Sequence, residues 1–180
     1  VGIAIDSDAK ILFITREGSA KIHILDATTL TDLGTTTAPS ASDLAGIVYD
    51  HVNQKLYCVD RRTQKLYSYS WNPATLTLTN DFPTPGYKIL SQLNLGDASN
   101  WGGAHGLALD EVHGLLYVGD LSTAIKVYNT ADWSYAGFKT VTQKVMDVAV
   151  DVFNGLLYAG NASDHSYFDG MGLLCIYDLN

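Results

Sequence analysis

Residues 106–120 read GLALDEVHGLLYVGD, and the pattern of this stretch occurs four times along the chain without a gap. Each copy has an apolar run, a polar turn that opens with aspartate in the same column, and a second apolar run. Short apolar runs on either side of a polar turn are typical of a β-hairpin. The four copies lie at residues 2–16, 46–60, 106–120 and 147–161.

A third apolar segment follows each hairpin, and a more polar fourth segment follows the first three. A polar segment suits the outer edge of a sheet. Four antiparallel strands per repeat, at a period of roughly 40–45 residues, are typical of the blades of a β-propeller. We therefore predict an all-β chain, a β-propeller made of four-stranded antiparallel blades. The fourth segments are Thr31–Thr35, Leu76–Thr79 and Ser134–Phe138.

The predicted blades span about residues 1–44, 45–104, 105–145 and 146–180 of a single propeller region, and the last blade lacks its outer strand. The chain begins directly on an inner strand, and closure of a four-blade ring by an N-terminal strand would need residues before Val1. We therefore expect the four repeats to be part of a larger propeller, with a compact ring of four as the alternative. An open set of blades exposes apolar faces, so we also expect self-association through the open blade edges.

Charge and motifs narrow the classes of function. The chain has 11 basic and 19 acidic residues, a net charge of −8, and no basic stripe, so we expect no nucleic-acid partner. No apolar run approaches the roughly 20 residues of a membrane-spanning helix. The sequence contains no G-x-S-x-G elbow, phosphate loop, CxxC pair or HExxH motif. We therefore favour a protein that is not an enzyme, and we predict no cofactor.

The repeat resembles those of the NHL and YVTN families and, more distantly, the YWTD repeat of the LDL receptor. The likeness rests on glycine, aspartate, leucine and an aromatic residue in fixed columns, followed by a strand such as IKVYN at 125–129. The resemblance implies that ligands enter on the face that carries the loops between second and third strands and the connections between blades. Such propellers include sugar-lactone hydrolases, amidating lyases, adhesion modules and scaffolds, so the fold alone does not decide the function.

Two loops on that face are longer than their counterparts, at about residues 80–104 and 162–173. Binding residues concentrate on long loops carried by a rigid scaffold. Trp101 in the first loop and His105 directly after it are ligand-binding candidates, and the second loop supplies acidic and imidazole groups that suit Ca²⁺ or Zn²⁺. A structural histidine and a solvated loop are the alternatives. The candidates are Trp101, His105, Asp164, His165, Tyr167 and Asp169.

The sequence leaves three functions open. The first is a non-enzymatic binding or scaffold module of a secreted or cell-surface protein, with a protein or glycan ligand on the long-loop face. The sequon at Asn161 makes this residue a glycosylation candidate and supports an extracellular location. The second is a metal-dependent propeller enzyme of the lactonase or lyase kind, for which the resemblance places His105 near the channel mouth. The third is a structural subunit of a fibre or large assembly.

Overall fold

The computed structural model describes residues 1–94, 103–161 and 174–179, and all regular elements in these ranges are β-strands. Within the same ranges, no helix has the length and apolar character needed to cross a membrane. The chain divides into two compact units, Val1–Ile89 and Leu90–Asn180. Each unit holds two antiparallel sheets.

In the first unit, the first sheet has four strands in sequence order, and its hairpin pairs Gly2 with Thr15 and Asp6 with Ile11. The second sheet has the same order, but its outer edge is made of two short strands that both pair with β7. The strands are β1 (Gly2–Asp6), β2 (Ile11–Thr15), β3 (Lys21–Asp26), β4 (Asp32–Thr37), β5 (Leu44–Asp50), β6 (Lys55–Asp60), β7 (Lys65–Asn72), β8 (Thr77–Asn80) and β9 (Lys88–Ile89).

In the second unit, one sheet has four strands in sequence order, and the described part of the other has three. The hairpin of the first sheet pairs Gly106 with Gly119, the same register as in the first unit. The strands are β10 (Gly106–Asp110), β11 (Leu115–Gly119), β12 (Ala124–Asn129), β13 (Tyr135–Thr140), β14 (Val145–Asp151), β15 (Leu156–Asn161) and β16 (Leu174–Asp178).

Each unit has a core made by side chains that alternate along its strands. In the first unit, β2 buries Ile11, Phe13 and Thr15 and leaves the residues between them less buried. The ring of Phe13 packs edge-on against Trp71 from the second sheet, with centroids 4.9 Å apart. The core therefore lies between the faces of neighbouring sheets, as it does between blades.

One aspartate closes the turn of each hairpin, as its recurrence in the sequence predicts. Asp6 Oδ1 accepts hydrogen bonds from the backbone N–H groups of Asp8 (3.1 Å) and Ala9 (3.0 Å). The aspartates of the other three repeats accept the N–H of the residue three positions later, at 2.9 to 3.0 Å. This column is therefore structural in every repeat.

The prediction of an all-β chain built from four-stranded antiparallel blades is confirmed, with two differences in detail. The outer strands begin one residue later than predicted. Before β4, Asp26 Oδ1 accepts the N–H groups of Thr28 and Thr29, and this turn delays the start of the strand. The insertion at 80–104 was predicted as one loop, yet it contains β9, which pairs Leu66 with Lys88. A two-residue strand is too short to give a periodic signal in a sequence.

Candidate functional site

Two ends can be distinguished in each blade. We call the end with the loop between the second and third strands the loop end; the connection to the next blade lies there too. The hairpin end carries the turn between the first two strands. In the first unit, the loop end consists of residues 16–20, 38–43 and 61–64.

Aspartates at the close of the second strands fasten the loop end. Asp60 Oδ2 accepts hydrogen bonds from the N–H groups of Ser42 (2.6 Å) and Asp43 (3.0 Å), which belong to the connection that leads into β5. In the second unit, Asp120 Oδ2 accepts one from the N–H of Asn94 (2.7 Å). Both carboxylates are fully buried. They therefore fix the connection between blades to the neighbouring loop.

A network of charged residues lies directly beside Asp60. Asp43 Oδ2 accepts hydrogen bonds from Arg61 Nη2 (2.6 Å) and Nε (3.1 Å), and from Arg62 Nε (2.7 Å). Arg61 Nη1 also lies 3.3 Å from Glu17 Oε1 in the first blade. Asp43 and Arg61 are buried, whereas the Arg62 side chain is 50% exposed and that of Glu17 is 31% exposed. We call these four residues the charged network.

The buried carboxylates at this loop end stay ionised. Burial by itself would raise the pKa of Asp43, but hydrogen bonds from the Gly18 N–H and from both arginines outweigh it, so the pKa lies below its ordinary value. Burial likewise opposes ionisation of Asp60, and the N–H groups of Ser42, Asp43 and Arg62 lower its pKa. Neither group is suited to proton transfer near neutral pH.

Sequence reasoning did not find the charged network. One signal was present, because Glu17 and Arg61 follow the second strand in the same column of neighbouring repeats. Opposite charges in one column of adjacent repeats indicate an ion pair between blades.

The structure places His105 at the loop end of the second unit, directly before β10. Its backbone N–H donates a hydrogen bond to Gly119 O (2.8 Å), and its side chain is buried. Trp101, Asp164, His165, Tyr167 and Asp169 lie outside the described residues. In the ranges 1–94, 103–161 and 174–179, no three His, Cys, Asp or Glu side chains come together in a way that would hold a metal ion. The predicted cation site and the role of His105 stay predictions.

Asn161 is the last residue of β15 and is buried. Its Nδ2, the atom that would carry a glycan, donates a hydrogen bond to Cys175 Sγ at 3.3 Å. Glycosylation at this position would therefore require the side chain to leave this arrangement. The other cysteine, Cys58, is fully buried, and burial raises the pKa of its thiol, so the thiol stays protonated at neutral pH.

Comparison with known proteins bears on the fold. No protein-family model matches the chain, and neither does any curated protein. A solved β-propeller domain, that of Cps50 (Swd1) from Myceliophteria thermophila, matches with a TM-score of 0.61 at 10% identity over 95% of this chain and 51% of that one. The chain has a β-propeller fold. Since no family model matches, membership of the NHL or YVTN family stays a prediction.

Two further structures superimpose on this propeller over most of its length. A chain of a mitotic checkpoint complex matches with a TM-score of 0.65 at 14% identity, over 98% of this chain and 48% of that one. A chain of a nidogen/laminin complex matches with a TM-score of 0.65 at 17% identity, over 90% of this chain and 56% of that one. This propeller spans about half the length of each of the three, and identities this low bear on the fold alone.

Proposed function

We propose that this propeller is a non-enzymatic binding module and that it contacts a protein partner through the charged network of its first unit. The observation that carries the proposal is the geometry of that network. Buried Asp43 holds the guanidinium groups of Arg61 and Arg62, while half of the Arg62 side chain stays open to solvent. An arginine that is held in place before binding loses little conformational freedom on binding, and such residues are frequent among those that dominate interface energies.

The charge states support binding over catalysis at the loop end of the first unit. The lowered pKa values of Asp43 and Asp60 leave both carboxylates without a proton to donate or a strong tendency to take one up. Their work is to hold cationic side chains and backbone N–H groups in place. A surface that presents one acidic and one basic group, Glu17 and Arg62, suits a partner with both charges rather than a uniformly charged polymer.

The similar structures agree with a binding role, since two of the three come from complexes between proteins. A secreted or cell-surface location belongs to the same proposal, and a glycan could take the place of the protein ligand. A structural subunit of a fibre or large assembly is an alternative to the proposal. The metal-dependent enzyme rests on His105 and on loop residues outside the described part of the chain.

The proposal is tested by comparing Arg62→Glu with Lys10→Glu, which makes the same change of charge at the hairpin end of the first blade. Each tagged chain is used to isolate partners from the native source, and the retained proteins are quantified. We expect the wild type and Lys10→Glu to retain a common protein that Arg62→Glu does not. With that protein purified, the dissociation constant should rise at least about tenfold for Arg62→Glu.

Equal retention by all three chains, or equal affinities for the purified partner, would contradict the proposal. Circular dichroism and thermal melting of each variant serve as the check on folding. The side chain of Lys10 is exposed, so we expect Lys10→Glu to change the free energy of unfolding by no more than about 1 kcal/mol.

A further inference from the structure

The second unit contains a pocket at its hairpin end. It has a volume of about 440 Å³, within the range of roughly 300–1,000 Å³ that is common for small-molecule sites. The hairpin of β10 and β11 contributes Asp110 and His113, and the hairpin of β14 and β15 contributes residues 152–155. Tyr117 and Leu179 complete the lining together with Leu115.

The repeat identifies what stands at this place in the first unit. In every blade, the residue that follows the paired part of the third strand donates its backbone N–H to the hairpin of the same blade. The distances are 2.8 to 2.9 Å, and the four donor and acceptor pairs are Ala27 to Lys10 O, Trp71 to Gln54 O, Thr130 to Gly114 O and Leu179 to Gly155 O. Leu179 in the fourth blade is therefore the counterpart of Trp71 in the second.

In the first unit, large side chains occupy the space beside the hairpin aspartate. Trp71 Nε1 donates to Asp6 Oδ2 at 3.0 Å, and the Tyr49 hydroxyl donates to the same oxygen at 3.2 Å. The indole also packs edge-on against Phe13. The carboxylate, the aromatic wall and the indole between them form one filled site.

In the second unit, smaller residues take these two places. Strand register makes Val150 the counterpart of Tyr49, and Leu179 is the counterpart of Trp71. The acceptor and the wall are kept, as Asp110 and Tyr117. Asp110 Oδ2 is instead hydrogen-bonded to His113 Nδ1 at 2.7 Å. The space filled by indole in one unit is thus open in the other.

We propose that this pocket binds a small planar aromatic molecule that carries an N–H donor, of which indole is the simplest example. Its ring packs against Tyr117, as Trp71 packs against Phe13. Its N–H donates a hydrogen bond to the carboxylate of Asp110, which His113 also contacts, as the N–H of Trp71 donates to the carboxylate of Asp6. Phe153 lies at the rim with 96% of its surface exposed, and we expect its ring to pack over the bound molecule.

The test is a ligand-observed NMR titration of the whole chain with indole and with 1-methylindole, which has the same ring without the donor. We expect indole to bind with a dissociation constant below about 1 mM and 1-methylindole to bind at least about tenfold more weakly. The proposal is overturned if indole does not bind at concentrations up to about 10 mM, or if the two compounds bind with equal dissociation constants.

The matched variants are Leu179→Trp, which fills the pocket as the first unit does, and Val52→Trp, which adds the same side chain at an exposed hairpin tip. We expect Leu179→Trp to weaken indole binding at least about tenfold and Val52→Trp to leave it unchanged. Phe153→Ala alters an exposed residue and is a second variant that does not endanger folding; it should weaken binding about threefold or more. Unchanged binding in both Leu179→Trp and Phe153→Ala overturns the proposal.

Discussion

The aspartates of the hairpins and those of the loop end have different hydrogen-bond partners, although the residue type is the same. In the hairpins it accepts backbone N–H groups of its own turn, as at Asp110. At the loop end, Asp60 accepts N–H groups from the connection between blades, and Asp43 accepts two arginines. The geometry of the nearby donors, not the carboxylate itself, separates a turn cap from a charged contact surface.

The lowered pKa of Asp43 leads to a prediction about stability in acid. A carboxyl whose pKa is lower when folded than when unfolded stabilises the protein above its unfolded pKa of about 3.9. That contribution disappears as the pH falls through the folded pKa. We expect the free energy of unfolding to fall between about pH 5 and pH 2, as measured by urea denaturation at a series of pH values.

Asp43→Asn is the variant that isolates this effect. Because it removes the negative charge that pairs with buried Arg61, we expect it to lower stability at pH 7 by about 3 kcal/mol and to flatten the acid dependence. Asp8→Asn, at an exposed hairpin position, should change stability by no more than about 0.5 kcal/mol and keep the dependence on pH. An acid dependence in Asp43→Asn as steep as in the wild type would argue against this account.

Some contacts of individual residues could be predicted from the sequence, and others could not. The hairpin aspartates recur at one column, so their turn-capping role was predictable from the sequence and is confirmed. The hydrogen bond between Trp71 and Asp6 was not, because the two residues are 65 positions apart and come from different blades. A column of the repeat shows which residue recurs at the same place in each blade, whereas contacts between blades depend on how the side chains of two blades pack together.

At the scale of elements, neighbouring inner strands approach closely where each begins. A Cβ built on Gly106 would lie 2.6 Å from the Cα of Asp147 and 2.9 Å from the backbone nitrogen of Val148 on β14. In the first unit, a Cβ on Gly2 would lie 2.4 Å from the carbonyl oxygen of Ala45 on β5. Glycine at the start of these inner strands is therefore required by the backbone of the next blade.

This contact predicts the effect of adding one methyl group. Gly106→Ala should lower the free energy of unfolding by about 2 kcal/mol, because the clash is with backbone atoms that cannot turn away. Gly160→Ala is the control in the same unit, since its nearest contacts with a new Cβ are at 3.7 Å, an ordinary distance. It should change stability by less than about 1 kcal/mol in denaturant titrations. Equal effects of the two substitutions would refute the close approach.

At the scale of the whole molecule, the repeat was sufficient to predict the β-propeller fold, because each copy carries its own turn and strand signals. The charged network was not predictable in the same way, since its residues are those that depart from the repeat. Six candidates were chosen for lying on or beside long loops; of these, only His105 lies in the described part of the chain.

The first and last described strands predict self-association. On β1, the side chains of Ile3 and Ile5 are exposed, and on β16 those of Leu174 and Ile176 are exposed. Apolar strand faces of this kind are normally covered by another sheet. We expect light scattering at increasing concentration to give a mass above the 19.5 kDa of one chain.

The double variant Ile3→Ser with Ile5→Ser should lower that mass, because it removes the apolar character of one strand face. Val52→Ser with Val112→Ser removes as many exposed apolar side chains from hairpin tips, and it should leave the mass unchanged. A wild-type mass of 19.5 kDa at every concentration would show that these faces do not associate.

The difference between Trp71 in the second blade and its counterpart Leu179 in the fourth can also be described at the level of the gene. One nucleotide separates a tryptophan codon from a leucine codon, so a single point mutation makes one of the two replacements that distinguish the filled hairpin end from the open one. The backbone hydrogen bond at this position is made by the main chain and is the same for either residue. In a repeat protein, one copy can therefore change at this position while the other copies keep the propeller folded.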